Sequence, residues 1–177
     1  MRRILFCAVV LCLMTIVMCA RDVYPVSAPP AKQLILVSLA EQRLYFLEND
    51  ELVMTFPVRI GKPKTPTPVG EGVISKKRDD PVFRYVDPGP NQGKIVTIVD
   101  CEGAPDGKTI ARPFAKGKTR ALVISIHGTM QYSIHSTVCT ESIGKALSLG
   151  CIGVRVDDML TLYARVRVGA RIVISSA

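Results

Sequence analysis

Two histidines, His127 and His135, sit in near-repeats of the 177-residue chain, "ISIHGT" and "YSIHST". A cysteine follows in "SLGCIGV", where Cys151 stands between Gly150 and Gly153. Cysteine attacks carbonyls as thiolate, so it needs a base or a lowered pKa, and histidine is the usual source of either. Such chemistry also needs backbone N–H donors for a developing oxyanion, and small residues let a backbone approach a substrate closely. Cys139, in "STVCTES", has no glycine within four residues on either side. On local chemistry Cys151 is the better nucleophile, and a structural disulfide is the competing role for any of these cysteines.

The two histidines cannot both serve Cys151. Gly128-Thr129 reads as a turn between "ALVISI" and "QYSI", with His127 at the hairpin tip and His135 several residues along the return strand. At ~3.3 Å per strand residue the two imidazoles stand more than about 10 Å apart. A base must come within about 3 Å of its proton, so only one qualifies. Periodicity alone leaves the choice open. A zinc site from His127, His135, Cys139 and Cys151 is disfavoured, because their spacing is not that of common zinc modules.

The elements that must hold these residues are mostly strands. "QLILVSL" (33–39), "RLYFL" (43–47), "LVMTFPVRI" (52–60), "VISKK" (73–77), "KIVTIV" (94–99), "ALVISI" (121–126) and "RIVIS" (171–175) are β-type runs between turn formers. "DDMLTLYARV" places Met159, Leu160, Leu162, Tyr163 and Val166 at helical spacing, with Asp157 or Asp158 as N-cap. The expectation is a mostly β domain with one or two short helices. Residues 21–32 are rich in proline and alanine and read as a linker, and the stretch from Asp87 to Lys118 is loop-rich.

The chain opens with Arg2 and Arg3, then an uncharged run from Ile4 to Ala20. That pattern predicts a secretory signal over residues 1–20, or an uncleaved or lipidated membrane anchor. Without Arg2 and Arg3 the 23 basic residues fall to 21, against 15 acidic. Export argues against nucleic acid as the partner of this basic surface and suits an anionic one, such as cell wall or acidic lipid. It also leaves Cys101, Cys139 and Cys151 as an odd set. A Cys101–Cys139 disulfide with Cys151 free would suit that count.

"YSIHSTVCTESIGKALSLGCIGV" resembles the catalytic signature of the L,D-transpeptidases, the YkuD-type domain. The supporting pieces are the strand pair with "EQRLYFL", the "VRIGK" strand, the loop Thr67-Pro68-Val69-Gly70 and the closing "VGARIVIS". The resemblance implies an L,D-transpeptidase-like β-sandwich or barrel over residues 33–177. It places His135 and Cys151 as the catalytic pair, with His127 as a look-alike. It further implies that the Ser136 carbonyl orients the histidine and that backbone N–H groups of Gly150 and Cys151 hold the oxyanion. The implied substrate is a peptidoglycan stem peptide, in the periplasm or cell envelope, with no metal or cofactor. The family usually carries Arg or Asn two residues after the nucleophile, where this chain has Gly153, and Arg155 is the nearby candidate substitute. That departure keeps open a degenerate domain that binds peptidoglycan without turnover. An L,D-carboxypeptidase would differ only in using water as the acceptor.

Overall fold

The computed structural model describes residues 31–81, 84–86, 95–97, 117–126 and 128–177. The leader or anchor over 1–20, nearly all of the 21–32 linker, Cys101, His127 and most of the 87–118 stretch lie outside the described residues.

The fold is mostly β, as its sequence predicts. Its strands are β1 (Gln33–Ser38), β2 (Arg43–Glu48), β3 (Glu51–Pro57), β4 (Ile60–Gly61), β5 (Gly70–Asp79), β6 (Arg84–Val86) and β7 (Ile95–Thr97). They continue with β8 (Arg120–Ile126), β9 (Thr129–Thr137), β10 (Ala146–Ser148), β11 (Ile152–Arg155) and β12 (Arg171–Ser175). One helix, α1 (Val156–Arg165), and a 3₁₀ turn (Thr140–Ser142) complete the described elements. β8 and β9 form the predicted hairpin. The single run expected over 52–60 is instead broken between β3 and β4, where Pro57 cannot donate to a ladder.

Eight strands make one sheet in the order β11-β9-β8-β5-β12-β1-β2-β3. β1 pairs antiparallel with β2 and parallel with β12, so the first and last described strands lie side by side. β11 runs parallel to β9 at one end of the sheet. A small parallel pair, β4 with β10, lies beside it.

Strand alternation sends one set of side chains to the core. In β1, Gln33, Ile35 and Val37 are buried while Leu34, Leu36 and Ser38 are half-buried. Ile35, Phe46, Ile74, Leu122, Ile124, Ile134, Ile152, Val154 and Ile172 share one apolar cluster with Met159 and Leu162 of α1. The helix packs against β8, β9 and β11, behind the strands that carry His135 and lead out of Cys151.

Neither Asp157 nor Asp158 is the N-cap. Arg155 holds that position without a side-chain bond, and both aspartates fall in the first turn. There they favour the positive end of the helix dipole, which explains their placement without a capping bond. At the other end Lys77 Nζ donates to the carbonyls of Tyr163 (2.5 Å) and Val166 (2.8 Å). Its ammonium lies 4.4 Å from the Tyr163 ring centre, and burial holds its pKa below the usual lysine value. The buried Gln33 donates to the Arg165 carbonyl (3.0 Å) and accepts from Arg167 N–H (2.8 Å). These bonds satisfy carbonyls that a helix end leaves over.

Leu162→Ala removes the centre of the α1 contact and is expected to destabilise the fold by about 2–5 kcal/mol. Urea unfolding of the two proteins measures the difference.

Candidate active site

The site is built on the parallel pairing of β9 and β11. Ile152 lies opposite Ile134 and Gly153 opposite His135. Because Ile134, Ile152 and Val154 enter the core, the alternating residues Ser133, His135 and Gly153 occupy the other face of the sheet. Two residues back along both strands, Ser133 Oγ–H donates to Cys151 Sγ at 3.6 Å. Cys151 is therefore the diagonal neighbour of His135, a relation of about 7–8 Å between α-carbons that side chains can span.

His135 is buried, and its Nδ1 lies 2.8 Å from the Ser136 carbonyl oxygen. A carbonyl only accepts, so in the neutral ring Nδ1 carries the hydrogen and Nε2 the basic lone pair. Ser136 Oγ in turn accepts from Arg120 N–H at 3.0 Å, which fixes the backbone around that carbonyl. Cys151 is a half-buried free thiol. Cys139 is disulfide-bonded, to a partner outside the described residues.

The turn before Cys151 is held from two sides. Ser148 Oγ donates to the Cys151 carbonyl at 2.5 Å and accepts from Gly150 N–H at 3.1 Å. The loop after β4 covers it, with Lys62 N–H donating to the Ser148 carbonyl (3.0 Å) and Thr65 Oγ to the same oxygen (3.2 Å). Gly150 has φ +111°, and a Cβ there would sit 2.7 Å from the Tyr132 ring. Only glycine fits this position, both by backbone conformation and by space.

Gly153 is a glycine for a different reason. A Cβ on it would lie 2.9 Å from Arg59 Nε and 3.2 Å from Arg59 Cβ. The arginine side chain lies across the face of Gly153, and its backbone pairs with the same residue. Arg59 N–H donates to the Gly153 carbonyl (2.8 Å), and Gly153 N–H donates to that of Arg59 (2.9 Å). Arg155, the candidate substitute, is exposed and faces Asp158 at 3.8 Å.

Arg59, Tyr132 and Ser133 all contribute to this arrangement and are not singled out by the sequence. Ser133 had a legible signal, since it stands two residues from His135 and so shares its face. Arg59 had none, because its partner is 94 positions away in "CIGV".

A nearly closed β domain with a glycine-flanked cysteine beside a buried histidine on the neighbouring strand defines a recognisable class. The L,D-transpeptidase catalytic domain family, YkuD, matches residues 32–174, and the chain belongs to that family. A relative that goes under the name L,D-transpeptidase YkuD, from Bacillus licheniformis, is 33% identical over 141 residues. That match covers 80% of this chain and 64% of the relative. One named for L,D-transpeptidase ErfK/SrfK, from Salmonella typhimurium, is 32% identical, covering 78% of this chain and 42% of the relative. The chain thus spans less than two thirds of the length of these curated relatives. Among solved structures, an L,D-transpeptidase from Mycobacterium smegmatis superposes with a TM-score of 0.60 at 22% identity. It covers 82% of this chain and 59% of that one. L,D-transpeptidase 3 from Mycobacterium tuberculosis gives 0.59 at 16% identity, covering 82% and 61%. At these identities the structures establish the fold.

Gly150→Ala is expected to destabilise the protein by about 1–3 kcal/mol through its positive φ alone. The Tyr132 contact adds to that, so the loss measured by chemical denaturation exceeds that of Gly169→Ala, where φ is +89° and no atom lies within 4 Å of the added Cβ.

Proposed function

We propose that this chain is a cysteine-nucleophile peptidoglycan L,D-transpeptidase of the cell envelope. The observation that carries the reading is the placement of Cys151 and His135 on one face of two adjacent parallel strands, with Nδ1 of the histidine engaged by the Ser136 carbonyl. That bond leaves Nε2 as the basic nitrogen, so His135 serves as general base.

In the proposed cycle His135 Nε2 takes the Cys151 proton, and the thiolate attacks the carbonyl carbon of the third residue of a tetrapeptide stem. The oxyanion is held by the Cys151 N–H. Gly150 N–H joins it only by exchanging its bond to Ser148 Oγ, because that bond occupies it in the resting site. A donor of this kind contributes roughly 3–4 kcal/mol to the transition state in serine enzymes. The C–N bond to the terminal D-Ala breaks, and the imidazolium protonates the departing amine. The resulting thioester is attacked by an amine of a second stem, whose proton passes to His135 and then to the released thiol. Water in place of that amine gives the carboxypeptidase reaction. Ser133, within 3.6 Å of the sulfur, orients the thiol for the first transfer. Arg155, exposed beyond Gly153, is available to the outer part of the substrate.

The test uses the full chain and a diaminopimelate-containing tetrapeptide muropeptide, with D-Ala release and products followed by mass spectrometry. His135→Ala is expected to lower release by about 10²–10⁴-fold, the usual contribution of a positioned base, and Cys151→Ala to abolish it. His127→Ala should retain activity. A cross-linked dimer identifies the transpeptidase, and free tripeptide the hydrolase. Absence of release from the folded native chain, with binding to isolated peptidoglycan retained, would replace the enzyme by a binding domain.

A further inference from the structure

We propose that Arg59 is the positioning residue of the nucleophile strand, and that residue 153 is glycine because the Arg59 side chain occupies its side-chain space. This inference rests on Cys151 and His135 being the catalytic pair.

β11 is a terminal strand of the eight-stranded sheet, hydrogen-bonded along one side to β9. On its other side the described residues place one antiparallel bridge, Arg59 with Gly153, closed by two backbone hydrogen bonds. Gly153 is the residue level with His135, and Cys151 stands two positions before it. Any rotation or slip of β11 at Gly153 therefore moves the sulfur relative to the imidazole. A misplacement of about 1 Å in a catalytic group can cost on the order of a hundredfold in rate.

The Arg59 side chain adds a second restraint. It lies flat on Gly153, and its Nη1 donates to Ser142 Oγ at 3.4 Å. Ser142 Oγ donates in turn to the Cys139 carbonyl at 2.6 Å, at the residue that carries the disulfide. The chain of contacts runs from the nucleophile strand through the guanidinium to the 3₁₀ turn. Arg59 is 6% exposed. Burying a guanidinium is costly, and an apolar side chain of similar length would fill the same space without that cost. Its neighbours Val58 and Ile60 already supply the apolar packing on the core side. What arginine offers here beyond volume is a rigid planar fork of donors.

Two variants separate positioning from filling: Arg59→Met, which keeps the volume and removes the donors, and Arg59→Lys, which keeps charge and stem. Three quantities are followed on the full chain: kcat and KM for D-Ala release, thermal midpoint, and the pH dependence of Cys151 alkylation by iodoacetamide, read on its own peptide by mass spectrometry. Arg59→Met is expected to lower kcat by about 10–100-fold with KM within about twofold. Its alkylation profile moves toward that of His135→Ala, in which the base is absent. Arg59→Lys recovers part of both. If Arg59→Met folds and keeps native kcat and profile, the arginine only fills space and the inference is wrong. Should Arg59→Met not fold, Ser142→Ala cuts the strut with Arg59 in place, and native kcat and profile in that variant overturn it equally. Failure of the underlying reading has a different signature: His135→Ala then leaves the Cys151 profile of the native chain unchanged, and this inference falls with it.

Discussion

The two ends of the main sheet meet at one residue pair. β3 is the last strand on one side and β11 the last on the other. The chain leaves β3 at Pro57, and two residues later Arg59 bridges Gly153 in β11. An open sheet would present two rows of unpaired backbone groups, and this bridge pairs part of the β11 row. It also fixes where the site can be. The residue that closes the sheet from one side is the residue level with His135 on the other. The same segment then continues along the cysteine turn, with Ile60 N–H bonded to the Lys145 carbonyl and Lys62 N–H to that of Ser148.

The two faces of the β9–β11 ladder have opposite physical character. Toward α1 the side chains are Ile134, Ile152 and Val154, all fully buried among aliphatic neighbours. Away from it lie Ser133, His135 and the Arg59 side chain, also buried but polar. Burial makes polar groups on this face depend on specific hydrogen-bond partners. Ser148 Oγ is shared between the Cys151 carbonyl and Gly150 N–H, and Ser142 Oγ between Arg59 and the Cys139 carbonyl. The apolar face gives the strands a rigid backing, and the polar face spends that rigidity on orientation.

Much of this architecture is legible in the sequence, and the limits have identifiable causes. β1, β2 and β12 are runs of β-branched and large apolar residues between turn formers, and local pattern is enough to find them. The helix is equally plain from Met159, Leu162, Tyr163 and Val166. The pairing of Cys151 with His135 over His127 came from resemblance to a family, because spacing alone left both histidines open. β11 is not legible as a strand, since "IGVR" is four residues long and contains a glycine. Arg59 reads as a solvent-facing basic residue in "PVRIGK" and is buried only by a contact far along the chain. Asp157 and Asp158 look like caps because they precede the apolar period. The helix starts at Val156 with Arg155 in the cap position, so both fall in its first turn and serve its dipole instead.

The strand order carries a consequence for how the chain reaches this state. β12, the last strand, lies between β5 and β1, so the block β11-β9-β8-β5 and the block β1-β2-β3 are joined in the main ladder only through it. Leu34 cannot meet its neighbour Arg171 until nearly the whole chain has been made. Contacts of such high sequence separation incur their loop-closure entropy before any of them is rewarded, which slows folding and makes it cooperative from end to end. The topology withholds the central strand until residues 171–175 are in place, so the two blocks of the sheet cannot lock together early.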